Sequence, residues 1–190
     1  MKNMSVIILL IFFCVPQIGL AKEIGSVTGW EIPRYVSIKS DDANLRVGPS
    51  KNYPILIKYI KSNFPIKIIE EYKEWRKVED FKKNTGWIHE SLLIGQRSGL
   101  IISPNLNNIP VLKTKFGVQI GEISDKTIVE LIKCEIDWCL IKKDNYKGWV
   151  KKNYIWGVFK NEEFNLSYFQ SLYNIYYTTL NYLENNWLGR

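Results

Sequence analysis

Between residues 34 and 157 the chain alternates apolar and polar positions in strand-length pieces, and no helix-length pattern of period 3.6 interrupts them. Residues 34–39 alternate, as do 55–60 and 66–72, and all three are rich in β-branched and aromatic side chains. Val47-Gly48-Pro49-Ser50, Lys61-Ser62-Asn63 and Lys82-Lys83-Asn84 supply the turns between them. Short strands joined by closely spaced turns predict an all-β chain built on small barrels.

The pattern occurs twice. Ile68-Ile69-Glu70-Glu71-Tyr72-Lys73-Glu74-Trp75-Arg76-Lys77-Val78 is matched by Leu131-Ile132-Lys133-Cys134-Glu135-Ile136-Asp137-Trp138-Cys139-Leu140-Ile141. Trp75 and Trp138 lie 63 residues apart, whereas Gly86-Trp87 and Gly148-Trp149 lie 62 apart, so the turn between them differs by one residue. Each Gly-Trp is followed by a polar bend and a hydrophobic close, Ser91-Leu92-Leu93 and Asn153-Tyr154-Ile155. This predicts two tandem units over residues 32–95 and 97–158, joined through Gly95-Gln96-Arg97-Ser98-Gly99. Units this small hold marginal cores. Packing of one copy on the other compensates, and so does a disulfide between Cys134 and Cys139 across the second hairpin. Glu71 and Arg76 hold the equivalent places in the first copy as an opposite-charge pair.

The two ends are different. Lys2, the apolar run from Val6 to Val15, Pro16 and the small residues Gly19 and Ala21 have the order of a secretory signal cut after Ala21. The run is too short to span a hydrocarbon core of about 30 Å. Residues 1–21 are therefore expected to be removed on export, with the periplasm as destination. Beyond Phe159-Lys160, residues 164–189 carry a single charge, Glu184. Leu166, Tyr173, Leu180 and Trp187 recur every seven residues, interleaved with Phe169, Tyr176 and Leu183, and Asn165 is suited to cap a start. Residues 164–188 are thus expected to form an aromatic amphipathic helix, folded back on a barrel or used for self-association or docking of a partner.

Asn44-Leu45-Arg46-Val47-Gly48-Pro49-Ser50, followed by Tyr53-Pro54, resembles the opening of bacterial SH3-like domains, and Trp75 and Gly86-Trp87-Ile88 are similar to their later strands. The second copy is degenerate: Ile102-Ser103-Pro104-Asn105 stands where that opening would fall, while Gly148-Trp149-Val150 and Trp156-Gly157-Val158 are kept. The paired arrangement looks like exported two-copy SH3-like proteins of alphaproteobacteria. The resemblance implies two tandem SH3-like β-barrels and a non-catalytic module of the cell envelope that binds cell-wall polymer or an envelope peptide or protein.

Composition narrows the chemistry. Aromatic residues make up 14% of the chain, with seven Trp and eleven Tyr, so ring contacts dominate either small cores or a binding face. Arg46, Tyr53, Trp75 and Trp87 are the candidate ligand-binding residues, an Arg beside aromatic faces being suited to a peptide or glycan strand. Structural roles compete with that reading. Gly48 and Pro49 set a turn that Arg46 ties down, and the tryptophans fill core or inter-copy space. The formal charge of +7, or +6 without Lys2, favours anionic partners, but the basic residues are scattered and export removes nucleic acid as a partner. A single histidine, His89, forms neither a zinc site nor a Cys–His pair with cysteines of the other copy, so no metal, cofactor or catalytic set is expected. A cell-wall hydrolase is the weakest alternative. Its paired carboxylates would come from Glu70, Glu71, Glu74, Glu79 and Asp80, which read as a solvated, charge-mixed hairpin.

Overall fold

A computed structural model describes residues 23–103, 105 and 108–166. The first twenty-two residues lie outside this description, as does nearly all of the aromatic segment expected to be helical. Two short strands, β1 (Glu23–Ile24) and β2 (Glu31–Ile32), pair with each other ahead of the first sheet. That sheet comprises β3 (Arg34–Ile38), β4 (Ala43–Arg46), β5 (Ile55–Tyr59), β6 (Pro65–Tyr72), β7 (Trp75–Glu79), β8 (Thr85–His89) and β9 (Leu93–Ile94). The second comprises β10 (Ser98–Ile101), β11 (Asn108–Leu112), β12 (Gln119–Ser124), β13 (Ile128–Cys134), β14 (Trp138–Lys143), β15 (Tyr146–Lys151), β16 (Ile155–Trp156) and β17 (Phe164–Asn165). Single 3-10 turns, Glu90–Leu92 and Lys152–Tyr154, close the two copies at their matching polar bends.

The strand orders match. The first sheet runs β5-β4-β8-β7-β6-β3-β9 and the second β12-β11-β15-β14-β13-β10-β16, all antiparallel, which makes the chain two tandem SH3-like barrels. Each hairpin carries a bulge at the same place, Ile69 being skipped between β6 and β7 and Ile132 between β13 and β14. A bulge bends the strand and increases its twist, which lets so small a sheet curl around one core. The register also corrects one sequence assignment. Arg46 pairs with Trp87 and Leu112 with Trp149, so the counterpart of Asn44–Arg46 is Pro110–Leu112 and not residues 102–105.

Alternation does what the pattern requires. Ile38, Leu45, Ile66, Val78 and Ile88 are fully enclosed in the first barrel, and Ile101, Leu131 and Val150 in the second. Each such side chain contributes about 1.5–3 kcal/mol relative to exposure. Cys134 and Cys139 face one another across β13 and β14 and are joined by a disulfide inside the second core.

The barrels pack on each other. Tyr35 of β3 packs against Trp156 of the second copy and Phe159 just after it, at ring-centroid distances of 5.1 and 4.7 Å. Burial there, aided by the charges of Glu79 and Glu162, pushes the Tyr35 hydroxyl up to about 12. Ser37 and Ser98 share a hydrogen bond of 2.5 Å beneath it. Lys126 of the second copy sits over the Phe81 ring of the first. Ser98 and Gly99, assigned above to the joining segment, are already part of β10.

Two carboxylates of the first hairpin are not on a solvated face. The Glu71 carboxylate is buried and accepts from the backbone N–H groups of Val27 and Thr28, the Thr28 hydroxyl and Arg34 Nη2, at 2.6–2.9 Å. Arg76 Nε lies 3.7 Å away, and the Arg76 guanidinium also pairs with Glu90. Burial by itself would raise the Glu71 carboxyl, but the bonds from Thr28, Arg34 and Val27 outweigh it and hold its pKa at about 2. Gly25 permits the approach, since a Cβ there would sit 2.5 Å from the Glu71 carboxyl carbon. Asp80 is buried as well. It accepts from Tyr59 Oη, from the N–H groups of Lys82 and Asn84 and from the Asn84 side chain, and so builds the β7–β8 turn.

Candidate functional site

In β4, β8 and β7 the inward residues are Ala43 and Leu45, Gly86 and Ile88, and Arg76 and Val78. The alternate positions therefore point away from the core: Asn44 and Arg46, Trp87 and His89, Trp75 and Lys77. Cross-strand pairing sets Arg46 beside Trp87, Trp87 beside Lys77 and His89 beside Trp75. One outer face thus carries three of the four residues singled out from sequence.

The fourth, Tyr53, belongs to the turn that follows β4. Arg46 Nη1 donates to the Tyr53 carbonyl at 2.8 Å, so the guanidinium ties the turn down. The Tyr53 ring lies flat on Gly48, where a Cβ would come within 2.7 Å of three ring atoms. Its other side is open, with the residue 46% exposed.

Beside Arg46 is a cleft of about 270 Å³ lined by Asp42, Asn44, Lys51, Trp75, His89 and Leu92. Trp75 forms its wall: only 9% exposed, it stands edge-on to the His89 ring at 5.3 Å. His89 Nδ1 accepts from the Ser91 N–H at the start of the 3-10 turn, which fixes the ring. Inside the cleft region, Asn44 Oδ1 is buried without a hydrogen-bond partner. Trp87 does not line this cleft. It lies further along the same face, edge-on to Tyr72 at 6.4 Å and with Lys77 Nζ 5.9 Å from its ring.

Arg46 and Trp75 therefore meet in one cleft, Trp87 extends the face, and Tyr53 stands at its border. Asn44, Lys51 and His89 were not singled out as ligand contacts. For Asn44 the signal was present, since it lies two residues before Arg46 in a strand and shares its face. The second copy does not repeat the cleft, because Pro110 and Leu112 replace Asn44 and Arg46. Cys134 and Cys139 are consumed in the disulfide, and the described residues hold no cluster of three His, Cys, Asp or Glu fit to bind a metal.

The fold and this face define a tandem small-barrel β-protein. The family model described as the bacterial SH3 domain matches residues 39–95 and 118–157, just over half of the chain, and the chain belongs to that family. No curated protein matches. Among solved structures the chain is similar to NlpC2 from Trichomonas vaginalis, with 9% identity over 65% of this chain and 48% of that one, at a TM-score of 0.29. It is also similar to an NlpC/P60 family protein of Bacillus cereus, with 12% identity over 64% of this chain and 55% of that one, again at 0.29. The chain thus spans roughly half the length of these proteins.

Proposed function

We propose that the chain is a non-catalytic binding module of the cell envelope, exported to the periplasm, which holds a strand of cell-wall polymer or an envelope peptide in the cleft beside Arg46 and Trp75. The observation that carries this reading is the cleft itself, in which Arg46 and Lys51 and the Trp75 wall line one space. The neighbouring cations Arg46 and Lys51 suit an anionic substituent, and the indole of Trp75 suits an apolar face. Membership in the bacterial SH3 family supports cell-wall binding at a coarse level.

The test is retention of the purified, processed protein on isolated murein sacculi at low salt. Retention that falls with Lys51→Gln, an exposed cleft residue, is the expected result. A protein that stays in the supernatant removes the polymer reading.

A further inference from the structure

The second barrel lacks the cleft of the first, yet it presents the more open aromatic face. Phe116 is 89% exposed and stands edge-on to Trp138, with centroids 6.0 Å apart. Ile136, at the tip of the β13–β14 hairpin, is 68% exposed beside them. These residues open on a groove of about 720 Å³ whose polar lining includes Asp137, Asn153, Lys151 and Lys160. That volume lies within the range of small-molecule and oligomer sites. Lys151 Nζ lies 5.8 Å from the Trp138 ring. Neither Lys151 nor Lys160 has a carboxylate partner among the described residues, unlike Lys115 and Lys133, which both pair with Glu135.

We propose that this groove is a second binding site, specific for an acidic glycan strand. The inference rests on the reading of the chain as a cell-wall module and adds a place and a ligand chemistry to it. A large ring held almost wholly in water has an apolar face to offer, and the C–H face of a sugar ring is complementary to the negative face of an aromatic ring. Asp137 accepts from sugar hydroxyls, and the Asn153 amide both donates and accepts. The unpaired ammonium groups of Lys151 and Lys160 supply the charge complementarity, so a sugar bearing a carboxylate is preferred over a neutral one. The equivalent position to Lys151 in the first barrel is His89, locked by Ser91, so the two copies differ in what they accept.

The experiment is a pair of titrations of the isotope-labelled, processed protein, followed at the tryptophan indole N–H signals. One probe is a murein glycan tetrasaccharide carrying N-acetylmuramic acid carboxylates; the other is chitotetraose, neutral and of the same length. The acidic probe is expected to shift the Trp138 indole and to bind about tenfold more tightly than the neutral one. Phe116→Ala and Lys151→Gln, both at exposed positions, should each weaken it about fivefold, while Lys39→Gln, exposed in the other barrel and outside either site, leaves it unchanged. Equal binding of the two probes, or an unmoved Trp138 signal, overturns the proposal. So do contacts between Phe116 and residues 168–187 of the same chain, or a concentration-dependent Trp138 shift without glycan, which assign the groove to the chain itself or to a second copy. Sacculi retention measured in parallel separates the two readings. Retention that persists in Phe116→Ala with no Trp138 shift defeats this site alone, and no retention of the wild type defeats the module reading.

Discussion

Glu71 and Cys134 occupy the same position in the two barrels. Glu71 is paired in register with Arg76, and Cys134 with Cys139. Both lie where a flanking segment meets its barrel. Glu71 binds residues 26–28 of the N-terminal segment and Arg34, and Cys134 pairs in register with Phe164 of β17. One copy thus fastens its flank by a carboxylate accepting many hydrogen bonds, and the other closes its hairpin covalently.

The carboxylate fastening is sensitive to acid. The Glu71 pKa is about 2 in the folded protein against an ordinary value of 4.5. A depressed carboxyl contributes stability that is fully present above 4.5 and is lost as the pH falls toward 2. Protection factors of the Val27 and Thr28 amides should therefore hold from neutral pH to about 5 and drop steeply below 4. Glu71→Gln should lose protection at neutral pH. Amides of the segment that remain equally protected at pH 2.5 would show that Glu71 does not hold it.

The covalent fastening should respond to reductant and not to acid. A disulfide closing so short a loop contributes only about 2 kcal/mol. Replacing both cysteines by alanine should lower the denaturation midpoint of the second barrel by that amount, with a further loss for the side-chain volume removed from its core. The first barrel's transition, followed through amides of β6 and β7, should move with it, since the packed copies unfold together. A first barrel left unmoved would mean that the two copies unfold independently.

That cooperativity depends on Tyr35. Its ring packs against both Trp156 and Phe159, and it is the main aromatic contact across the interface among the described residues. Tyr35→Ala removes that packing at a cost of about 2 kcal/mol. Thermal unfolding of the variant should resolve into two transitions where the wild type shows one. A single transition at the wild-type midpoint would show that the Ser37–Ser98 bond and the Lys126–Phe81 contact are sufficient to couple the copies.

The fold was legible because it rests on local pattern. Strand alternation, the turn residues and the 62–63-residue echo of Trp75 and Gly86-Trp87 are all short-range signals, and each barrel uses them in the same order. The candidate face was legible in part for the same reason, since Arg46 and Trp87 alternate with buried neighbours. The buried carboxylates were not. Glu71 is enclosed by partners 37 to 45 residues earlier in the chain, and neither charge pattern nor spacing encodes those contacts. Phe116 escaped notice because it lies in a turn with no periodicity, where only the solvent exposure of the folded chain sets it apart.

The last expectation concerns the cleft itself and separates binding from folding. Asn44 Oδ1 is buried without a partner, so the free protein is less stable than it need be, while the residue also lines the cleft. Asn44 lies within β4 on the outward face, where a β-branched side chain is favoured and no described hydrogen bond would be broken. Asn44→Val should therefore raise the stability of the first barrel by about 1 kcal/mol while reducing retention on sacculi. The opposite signs are what matter. A purely structural asparagine would give a less stable variant whose retention falls only as far as its folded fraction does, and a urea titration run beside the sedimentation assay distinguishes the two.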